Sequence, residues 1–450
     1  MIRSARVLIL GCALLSACGG DDGAIKCSLK DPILVDESAD QWPKFRRDAQ
    51  NTGTIRLLES AYNVVAAADR PQRDLVWQFP RADELAAGPF AASASLNSQS
   101  GEARRLYAAS ANGVVYALNP LDGSRAPTDP GNGVLFSVSP ASLTSTPLVG
   151  LRDGVDAVVV GTGDARVFGV DDQGFLLHQV WPFLADSFVR SSPSMTIDGL
   201  MLIGTLGAGV AGVCPNGAPD WGIPTGAAES SAAVGRDTSN NRLDGTFFIG
   251  HNDRNLRAIR RDGVIRWTFS MSAPILSSPV VQLSPLQDQT VAIYVADVSG
   301  LISKVATNGL PIRDFAFVRG SIGRTESSPA LTQHPTAGLR LYIGSDDGNL
   351  YAIDAISGAV VWSYETNGLI RSSPAVVLNG LSDSDPIVIV GSFDGTLYYL
   401  RDTGPAPELI GTFAVPVSEG RPRAIESSPT VDRNGNVYIG ADNGRLYAVR

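Results

Sequence analysis

The sequence predicts an all-β fold, an eight-bladed β-propeller of four-stranded antiparallel blades. A Ser-Ser-Pro element, in strict or looser form, occurs eight times between Ser95 and Pro429, with a mean spacing of about 48 residues that suits a unit of four short strands. A second motif, a turn followed by an alternating apolar strand as in residues 348–353, also occurs eight times. No segment with helical periodicity separates the units, so each unit is expected to bury its faces against its neighbours in a ring.

Residues 341–376 show the pattern of one unit. The first β-rich run ends at Gly344, and Asp347-Gly348 is a hairpin signal for which positive φ is expected at both turn residues. Ser357-Gly358 then predicts a second turn before the strand that contains Trp362. Proline lacks an N–H and suits a strand start or a sheet edge, so each Ser-Ser-Pro is expected to open the innermost strand.

The two ends of the chain are predicted to share the last blade. The strand containing Trp77 precedes the first Ser-Ser-Pro-like element, and the chain ends in an apolar strand, residues 446–449, with no strand after it. We therefore expect the N-terminal Trp77 strand to complete the last blade, which closes the ring and leaves no open edge.

The N-terminus reads as a secretory signal over residues 1–17, with two arginines, a short apolar run and small residues before Cys18. This pattern resembles the bacterial lipobox, in which Cys18 would carry lipid; an ordinary signal peptide is the alternative. Gly19 follows it, which in such lipoproteins implies an outer-membrane location, periplasmic or surface-facing. Residues 18–41 are predicted to be a flexible tether, 42–76 a lead segment and 77–450 the propeller.

Charge and cysteine content limit the partners. Removal of the signal takes the formal charge from −9 to −11, which argues against nucleic acid or anionic lipid surfaces as partners. Of the four cysteines, Cys27 and Cys214 remain after processing and lipidation. They could form a disulfide in an oxidising compartment, although the sequence cannot place them within bonding distance.

Four tryptophans are predicted to dock neighbouring blades. Trp221, Trp267 and Trp362 each follow a turn glycine by four residues, and Trp77 occupies the corresponding outer strand of the last blade. An indole there can cover the joint between blades and donate its N–H to a neighbouring carbonyl. An aromatic ligand cage is the alternative, but these residues are spread around the ring.

Charged residues precede several Ser-Ser-Pro elements and are predicted to ring the central channel. They are Arg190, Glu229, Glu326, Arg371 and Glu426. Because their signs alternate, we expect a self-neutralising collar at one channel mouth, with a ligand or ion site as the alternative.

The repeats resemble a known family. Residues 42–53, Trp-Pro-x-Phe-x-x-Asp-x-x-x-Thr-Gly, and the Ala352, Asp354, Ser357, Gly358 and Trp362 pattern are similar to the pyrroloquinoline-quinone-like (PQQ-like) propeller repeats and their tryptophan-docking motif. The family divides into periplasmic quinoprotein dehydrogenases and non-enzymatic lipoproteins similar to the outer-membrane assembly factor BamB. The BamB-like group is the nearer resemblance.

No catalytic motif is visible in the sequence. A dehydrogenase of this family would need a calcium site and typically adjacent cysteines, but the chain has no Cys-Cys pair and no Cys-x-x-Cys-His haem motif. Its three histidines, His178, His251 and His334, do not share a repeat position. We therefore expect no enzyme activity, cofactor or metal.

The predicted function is a lipid-anchored, monomeric scaffold that binds an envelope protein, with outer-membrane assembly as the candidate process. A PQQ- or small-ligand-binding, dehydrogenase-like protein is the alternative. Recognition is expected in long connections on a rigid scaffold. The candidates are residues 120–133, 236–245, 378–386 and 403–410. The sequence identifies neither the partner nor the face that binds it.

Overall fold

The computed structural model describes residues 52–450 with gaps. The gaps are residues 58, 68–70, 82–87, 98–104, 126–133, 139–140, 153–154, 173–176, 197, 208, 237–244, 285–288, 316, 318–319, 380–383, 418–419 and 421. The chain forms eight sheets whose first strands contact one another in sequence around a common axis. The prediction of an eight-bladed β-propeller is confirmed.

Three elements precede the first blade, and four regular blades follow. The elements are β1 (Thr54–Leu57), α1 (Glu59–Ala66) and β2 (Leu75–Phe79). Blade 1 contains β3 (Ser95–Asn97), β4 (Arg105–Ser110), β5 (Val114–Leu118) and β6 (Val134–Ser137); blade 2 contains β7 (Leu148–Arg152), β8 (Val155–Gly161), β9 (Arg166–Asp172) and β10 (Leu177–Leu184). Blade 3 contains β11 (Ser194–Met195), β12 (Met201–Gly204), β13 (Val210–Val213) and β14 (Pro219–Ile223); blade 4 contains β15 (Ala233–Gly235), β16 (Thr246–Gly250), β17 (Asn255–Ile259) and β18 (Ile265–Ser270).

The second half of the ring is less uniform. Blade 5 contains β19 (Val280–Leu283), β20 (Thr290–Ala296) and β21 (Ile302–Ala306); blade 6 contains β22 (Ala330–His334), β23 (Gly338–Gly344), β24 (Asn349–Asp354) and β25 (Val360–Glu365). Blade 7 contains β26 (Ala375–Asn379), β27 (Ile387–Gly391), β28 (Thr396–Asp402) and β29 (Pro407–Ala414); blade 8 contains β30 (Thr430–Val431), β31 (Val437–Ala441), β32 (Arg445–Val449) and the N-terminal β2.

The N-terminal strand closes the ring as predicted. Strand β2 pairs antiparallel with β32, and Trp77 lies opposite Ala448. The last blade thus takes its outermost strand from the start of the chain and its other three strands from the end, so this joint has no open edge.

A ring of hydrogen bonds around the axis explains the second residue of the Ser-Ser-Pro elements; in blade 1 the equivalent residue is Ser93, one position earlier than the alignment on Ser95 predicts. In every blade the backbone N–H of this residue donates to the hydroxyl of the equivalent residue in the next blade, over 2.8–3.2 Å, and the last bond returns from Ser428 to Ser93. The members are Ser93, Thr146, Ser192, Ser231, Ser278, Ser328, Ser373 and Ser428. The sequence analysis explained the proline but not this serine.

Blade 5 departs from the four-stranded pattern. Among its described residues, the outer position holds a single bridge between Val305 and Pro311 and one bond from the Ile312 N–H to the Lys304 carbonyl, followed by the buried ring of Phe315. The proline alone does not end the pairing, because Pro219 lies opposite Val213 at the equivalent place in blade 3, whose outer strand is complete.

Two local predictions have different outcomes. Trp181 follows Gly174 by seven residues, not by the four seen before the other outer-strand tryptophans, and this spacing predicts a bulge. The register of β10 against β9 does shift, between His178 and Trp181. The expectation of positive φ at both residues of the Asp347-Gly348 turn is wrong. Only Gly348 has positive φ, +87°, and its N–H bonds to the Ser345 carbonyl. The turn therefore includes more residues than a two-residue hairpin.

The lead segment is partly integrated into the propeller. Strand β1 runs parallel to the innermost strand of blade 7, with Thr54 opposite Val376, and the Thr52 carbonyl accepts the Leu331 N–H of blade 6. It therefore lies on the axial side of blades 6 and 7. The buried guanidinium of Arg73 then donates to the carbonyls of Val64 and Val65 at the end of α1, where exposed helix carbonyls favour a cation.

No helix in the described part of the chain has the length and apolar character needed to cross a membrane.

Candidate functional site: the two ends of the ring

The propeller has two chemically different ends. Because neighbouring strands are antiparallel, the connection into each Ser-Ser-Pro element emerges at the same end as the turn between the second and third strands. We call this end the collar face, since it carries the residues that precede the Ser-Ser-Pro elements. The opposite end, with the turns between first and second and between third and fourth strands, is the loop face.

On the collar face of blades 3 and 4, the predicted charges form one pair. Arg190 Nη1 lies 3.2 Å from Glu229 Oε2, and Asn252 Nδ2 donates to Glu229 Oε1 over 3.0 Å. Arg190 is mostly exposed, so the pair is expected to add little stability.

The collar charges of blades 6 and 7 converge on a residue that the sequence analysis missed, Asp346. Arg371 Nε and Nη2 lie 3.0 and 3.2 Å from its carboxylate, and Arg324 Nη1 lies 2.6 Å from it. Glu326 also contacts both arginines. The hydrogen bonds to Asp346 raise the pKa of both guanidiniums. Asp346 comes just before the Asp347-Gly348 turn, which the sequence analysis interpreted only as a hairpin signal.

Blade 8 adds an acidic pair to the collar face. Glu426 acts on Arg371 only electrostatically, and burial together with Glu426 raises the pKa of Asp442 to about 6. The signs therefore do not simply alternate around the mouth. The role of the collar stays a prediction.

The four tryptophans lie at joints between blades, and each indole N–H donates to the following blade. Trp77 donates to the Pro120 carbonyl over 2.9 Å, Trp221 to Arg261 over 2.7 Å, Trp267 to Thr307 over 2.8 Å, and Trp362 to Asp402 Oδ1 over 2.9 Å. The first three also stack against a turn glycine with positive φ in the next blade. A Cβ there would come within 2.5–2.8 Å of the indole.

The two histidines whose side chains the structure describes, His251 and His334, lie in different blades and do not share a site. His334 in blade 6 is buried, and its Nδ1 accepts from the Thr336 and Ala337 N–H groups, which leaves Nε2 to donate to the Asp402 carbonyl. Burial lowers the pKa of His251 in blade 4 to about 4, so it is neutral at physiological pH. Within the described ranges, no cluster of three or more His, Cys, Asp or Glu could hold a metal.

Cys214 lies at the loop-face turn of blade 3, where it is buried and disulfide-bonded. Cys18 and Cys27, the predicted lipidation site and the predicted partner of Cys214, lie outside the described residues, as do the signal peptide and the tether.

The four long connections proposed for recognition all belong to the loop face. The fourth is shorter than predicted, because strand β29 already begins at Pro407. An open cleft of about 660 Å³ lies between α1 and blade 7 on this face, lined by Tyr62, Asp385 and Arg401 among others. Arg401 Nη2 donates to the Ala66 carbonyl at the end of α1, which joins the helix to the blade.

Comparisons with known proteins give two kinds of likeness. The family model described as "Outer membrane protein assembly factor BamB" matches residues 319–404. The BamB protein of Kangiella koreensis is 29% identical over 145 residues, 32% of this chain and 34% of that protein. The BamB protein of Yersinia pestis is 27% identical over 164 residues, 36% of this chain and 39% of that protein. These matches therefore span little more than a third of the curated relatives' length.

Solved structures match over most of the ring. BamB from Moraxella catarrhalis superposes with a TM-score of 0.54 at 18% identity, covering 84% of this chain and 99% of that one. A quinohemoprotein alcohol dehydrogenase from Comamonas testosteroni gives 0.62 at 15% identity, covering 91% and 80%. A europium-containing methanol dehydrogenase gives 0.62 at 14% identity, covering 92% and 98%. At such identities these structures show the shared fold alone.

The ring defines a β-propeller, and its repeats resemble the PQQ-like type. Within that type, the resemblance to BamB inferred from the repeats is confirmed by the family match over residues 319–404 and by the two curated BamB proteins.

Proposed function

We propose that this protein is a non-catalytic, lipid-anchored scaffold that binds a protein partner at the cell envelope, with outer-membrane protein assembly as the process. The observation that carries the proposal is the match of the BamB family model to residues 319–404, which lie in blades 6 and 7. In the same sector, β1 lies on the axial side of both blades. A backbone strand there takes space that a ligand in the channel would need.

The loop face is the proposed binding surface, because it carries the long connections and the α1 cleft. We further propose lipid at Cys18 and a disulfide between Cys27 and Cys214. Cys27 follows Cys18 by nine positions, a distance of at most about 30 Å in an extended chain. With this disulfide, the anchor would hold the loop face close to the membrane.

Site-specific photo-crosslinking in cells tests the binding surface. A crosslinking residue is placed at Ile356, exposed on a loop-face turn, and a matched one at Arg190, exposed on the collar face. We expect an adduct to an envelope protein from position 356 that disappears in a Cys18→Ser variant. Adducts from position 190 alone would place the binding surface on the opposite face, and the absence of adducts from both would contradict partner binding.

Peptide mapping without reduction tests the disulfide. We expect a linked pair of peptides containing Cys27 and Cys214, with no free thiol at either. Detection of both cysteines as free thiols in protein isolated from the envelope would contradict the link and its consequence for orientation.

The second candidate function is a PQQ-dependent dehydrogenase, favoured by the similarity of the whole ring to two dehydrogenases. Among the described residues, no group of three or more His, Cys, Asp or Glu side chains is placed to hold a metal ion. Addition of PQQ and calcium, followed by absorbance and dye reduction, separates the two candidates. Turnover would replace the scaffold proposal with the enzyme.

A further inference from the structure

Blades 3, 4 and 5 carry the same outer turn on the loop face, after the third strand of each blade. The turns are residues 214–218, 260–264 and 306–310. In each, the N–H of the first residue donates to the carbonyl of the fifth, and the N–H of the turn glycine donates back to the carbonyl of the first, over 2.8–2.9 Å. The three turns therefore hold equivalent places in successive blades and follow one arc of the rim.

Each of these turns leads into two consecutive exposed apolar residues. The pairs are Ala218-Pro219, Val264-Ile265 and Leu310-Pro311, and we call them the apolar strip. Val264, Ile265 and Leu310 are 52%, 37% and 62% exposed. The outer turn of blade 1 leads instead into a polar pair, Ser124-Arg125, so the fold does not require apolar residues at this place.

Two docking tryptophans join the pairs into one surface. Trp221 of blade 3 lies against Gly263, the residue before Val264, and Trp267 of blade 4 lies against Gly309, the residue before Leu310. Both indoles are only half-buried, so they fill the spaces between successive turns. Aliphatic side chains interleaved with partly exposed tryptophan are typical of surfaces at the membrane–water interface.

The strip begins at the turn that carries the disulfide. Cys214 is the first residue of the blade 3 turn and is disulfide-bonded, and the three other cysteines, Cys12, Cys18 and Cys27, all precede the described residues. The N-terminal segment is therefore tied to this end of the strip. With the proposed lipid on Cys18 and the proposed link through Cys27, the bilayer would lie within about 30 Å of the strip, and tethering at this distance gives a high local concentration of lipid.

The charges that flank Val264 are paired within the protein. Arg260 Nη2 lies 2.6 Å from Asp262 Oδ2, and Arg261 forms an ion pair with Asp198. A surface whose charges are already paired has no need of charged lipid, and its attraction to a bilayer depends on the apolar area that it can bury.

We propose that the apolar strip on the outer turns of blades 3–5 contacts the interface of a zwitterionic phospholipid bilayer. This inference rests on the proposed lipid anchor and specifies which edge of the loop face turns toward the membrane. The opposite part of the loop face, with the cleft between α1 and blade 7, stays open to a protein partner.

Site-specific photo-crosslinking of the full chain in cells tests the proposal, with lipid and protein adducts separated by mass. The crosslinking residue is placed at Leu310 and, as the matched control, at Leu184, an apolar residue of the collar face that is 73% exposed. The experiment is repeated in a Val264→Ser background and in a Phe188→Ser background. Phe188, on the collar face, is 55% exposed and so matches Val264. Circular dichroism and the melting temperature show whether each variant folds.

We expect phospholipid adducts from position 310 and none from position 184. Val264→Ser should lower the yield at position 310 at least about twofold, because an apolar side chain that enters the lipid is lost, and Phe188→Ser should leave the yield unchanged. Protein adducts alone at position 310, no adduct there, or equal lipid adducts at both positions would each overturn the proposal.

The mass of the N-terminal peptide separates this proposal from the proposed function. A lipidated Cys18 without lipid adducts at position 310 would overturn the strip alone. An unmodified Cys18 with lipid adducts at position 310 would overturn the anchor and support the strip, and an unmodified Cys18 without such adducts would overturn both. Ile356, the position used to capture the protein partner, lies on blade 6 outside the strip.

Discussion

The joint between blades 6 and 7 and the joint between blades 5 and 6 use different residues for the same task. At the first joint, Trp362 and Tyr342 donate to the two oxygens of one buried carboxylate, Asp402, over 2.9 and 2.6 Å. At the second joint the outer strand is incomplete, and Tyr294 donates instead to a neutral carbonyl, that of Ala355, over 2.7 Å.

Apolar cover also differs between the two joints. Phe315 lies edge-on to Tyr294, with ring centroids 5.7 Å apart, where the first joint has the indole of Trp362 beside Tyr342 at 5.8 Å. Each joint therefore combines an aromatic ring from the outer region with a phenol that donates across the joint. At the first joint a regular fourth strand supplies the aromatic ring, and at the second joint an irregular segment supplies it.

The largest effect is expected from Trp362→Ala. This change removes the indole that covers the joint between blades 6 and 7 and one hydrogen-bond donor to Asp402. We expect a loss of about 3–5 kcal/mol in the free energy of unfolding, the range for a large buried aromatic, measured by urea denaturation. Trp267→Ala is the control, because Trp267 is only half-buried and should cost less. Equal losses from both would show that burial does not set the strength of a joint.

Removal of single phenol hydroxyls compares the two joints directly. Tyr342→Phe takes a donor from a buried carboxylate and should cost about 1.5–3 kcal/mol, whereas Tyr294→Phe takes a donor from a neutral carbonyl and should cost about 0.5–1.5 kcal/mol. Urea denaturation of the two variants measures the difference. A larger loss for Tyr294→Phe would reverse the ranking of the joints.

The ring of hydrogen bonds around the axis should contribute equally to the two joints. Ser328→Ala removes the bond from blade 5 and Ser373→Ala the bond from blade 6, and each should cost about 1 kcal/mol in the same denaturation experiment. Ser373→Thr should be tolerated, since Thr146 occupies the equivalent position in blade 2. A loss of stability in only one of the two variants would mean that the hydrogen bonds of this ring are not equivalent around the axis.

The smallest effect concerns pH and lies outside both joints, at Asp442. Its pKa in the folded protein is about 6, above the value of 3.8 expected in the unfolded chain. The folded state therefore binds the proton more tightly, and the stability from this group is lost as pH rises from about 4 to about 6. Thermal unfolding across this range should show the decline, and Asp442→Asn should flatten it. Trp362→Ala should leave the slope unchanged.

Repetition made the blades predictable, because the same local signals recur in each unit. It also predicted the docking strand of Trp77, since that strand carries the same outer-strand pattern. The hydrogen-bond partners of the repeated residues were harder to predict from the sequence. Asp402 is the last residue of β28 and Asp346 opens a turn, and nothing local shows that each accepts bonds from side chains distant in sequence.

Two further features escaped prediction for a related reason. Strand β1 precedes every repeat and pairs with residues more than 300 positions away, so no periodic signal marks it. Blade 5 keeps the turn glycine, Gly309, but has no tryptophan after it, and the sequence alone does not show that Phe315 substitutes for the missing ring.

The pairing of both N-terminal strands with late parts of the chain constrains how the protein is made. During synthesis, residues 54–79 are made long before their partners, β26 and β32. Contacts this distant in sequence form slowly. The newly made chain must therefore keep two unsatisfied strand edges from associating with other molecules until the late strands are available, and loss of the final hairpin would leave β2 without its partner strand.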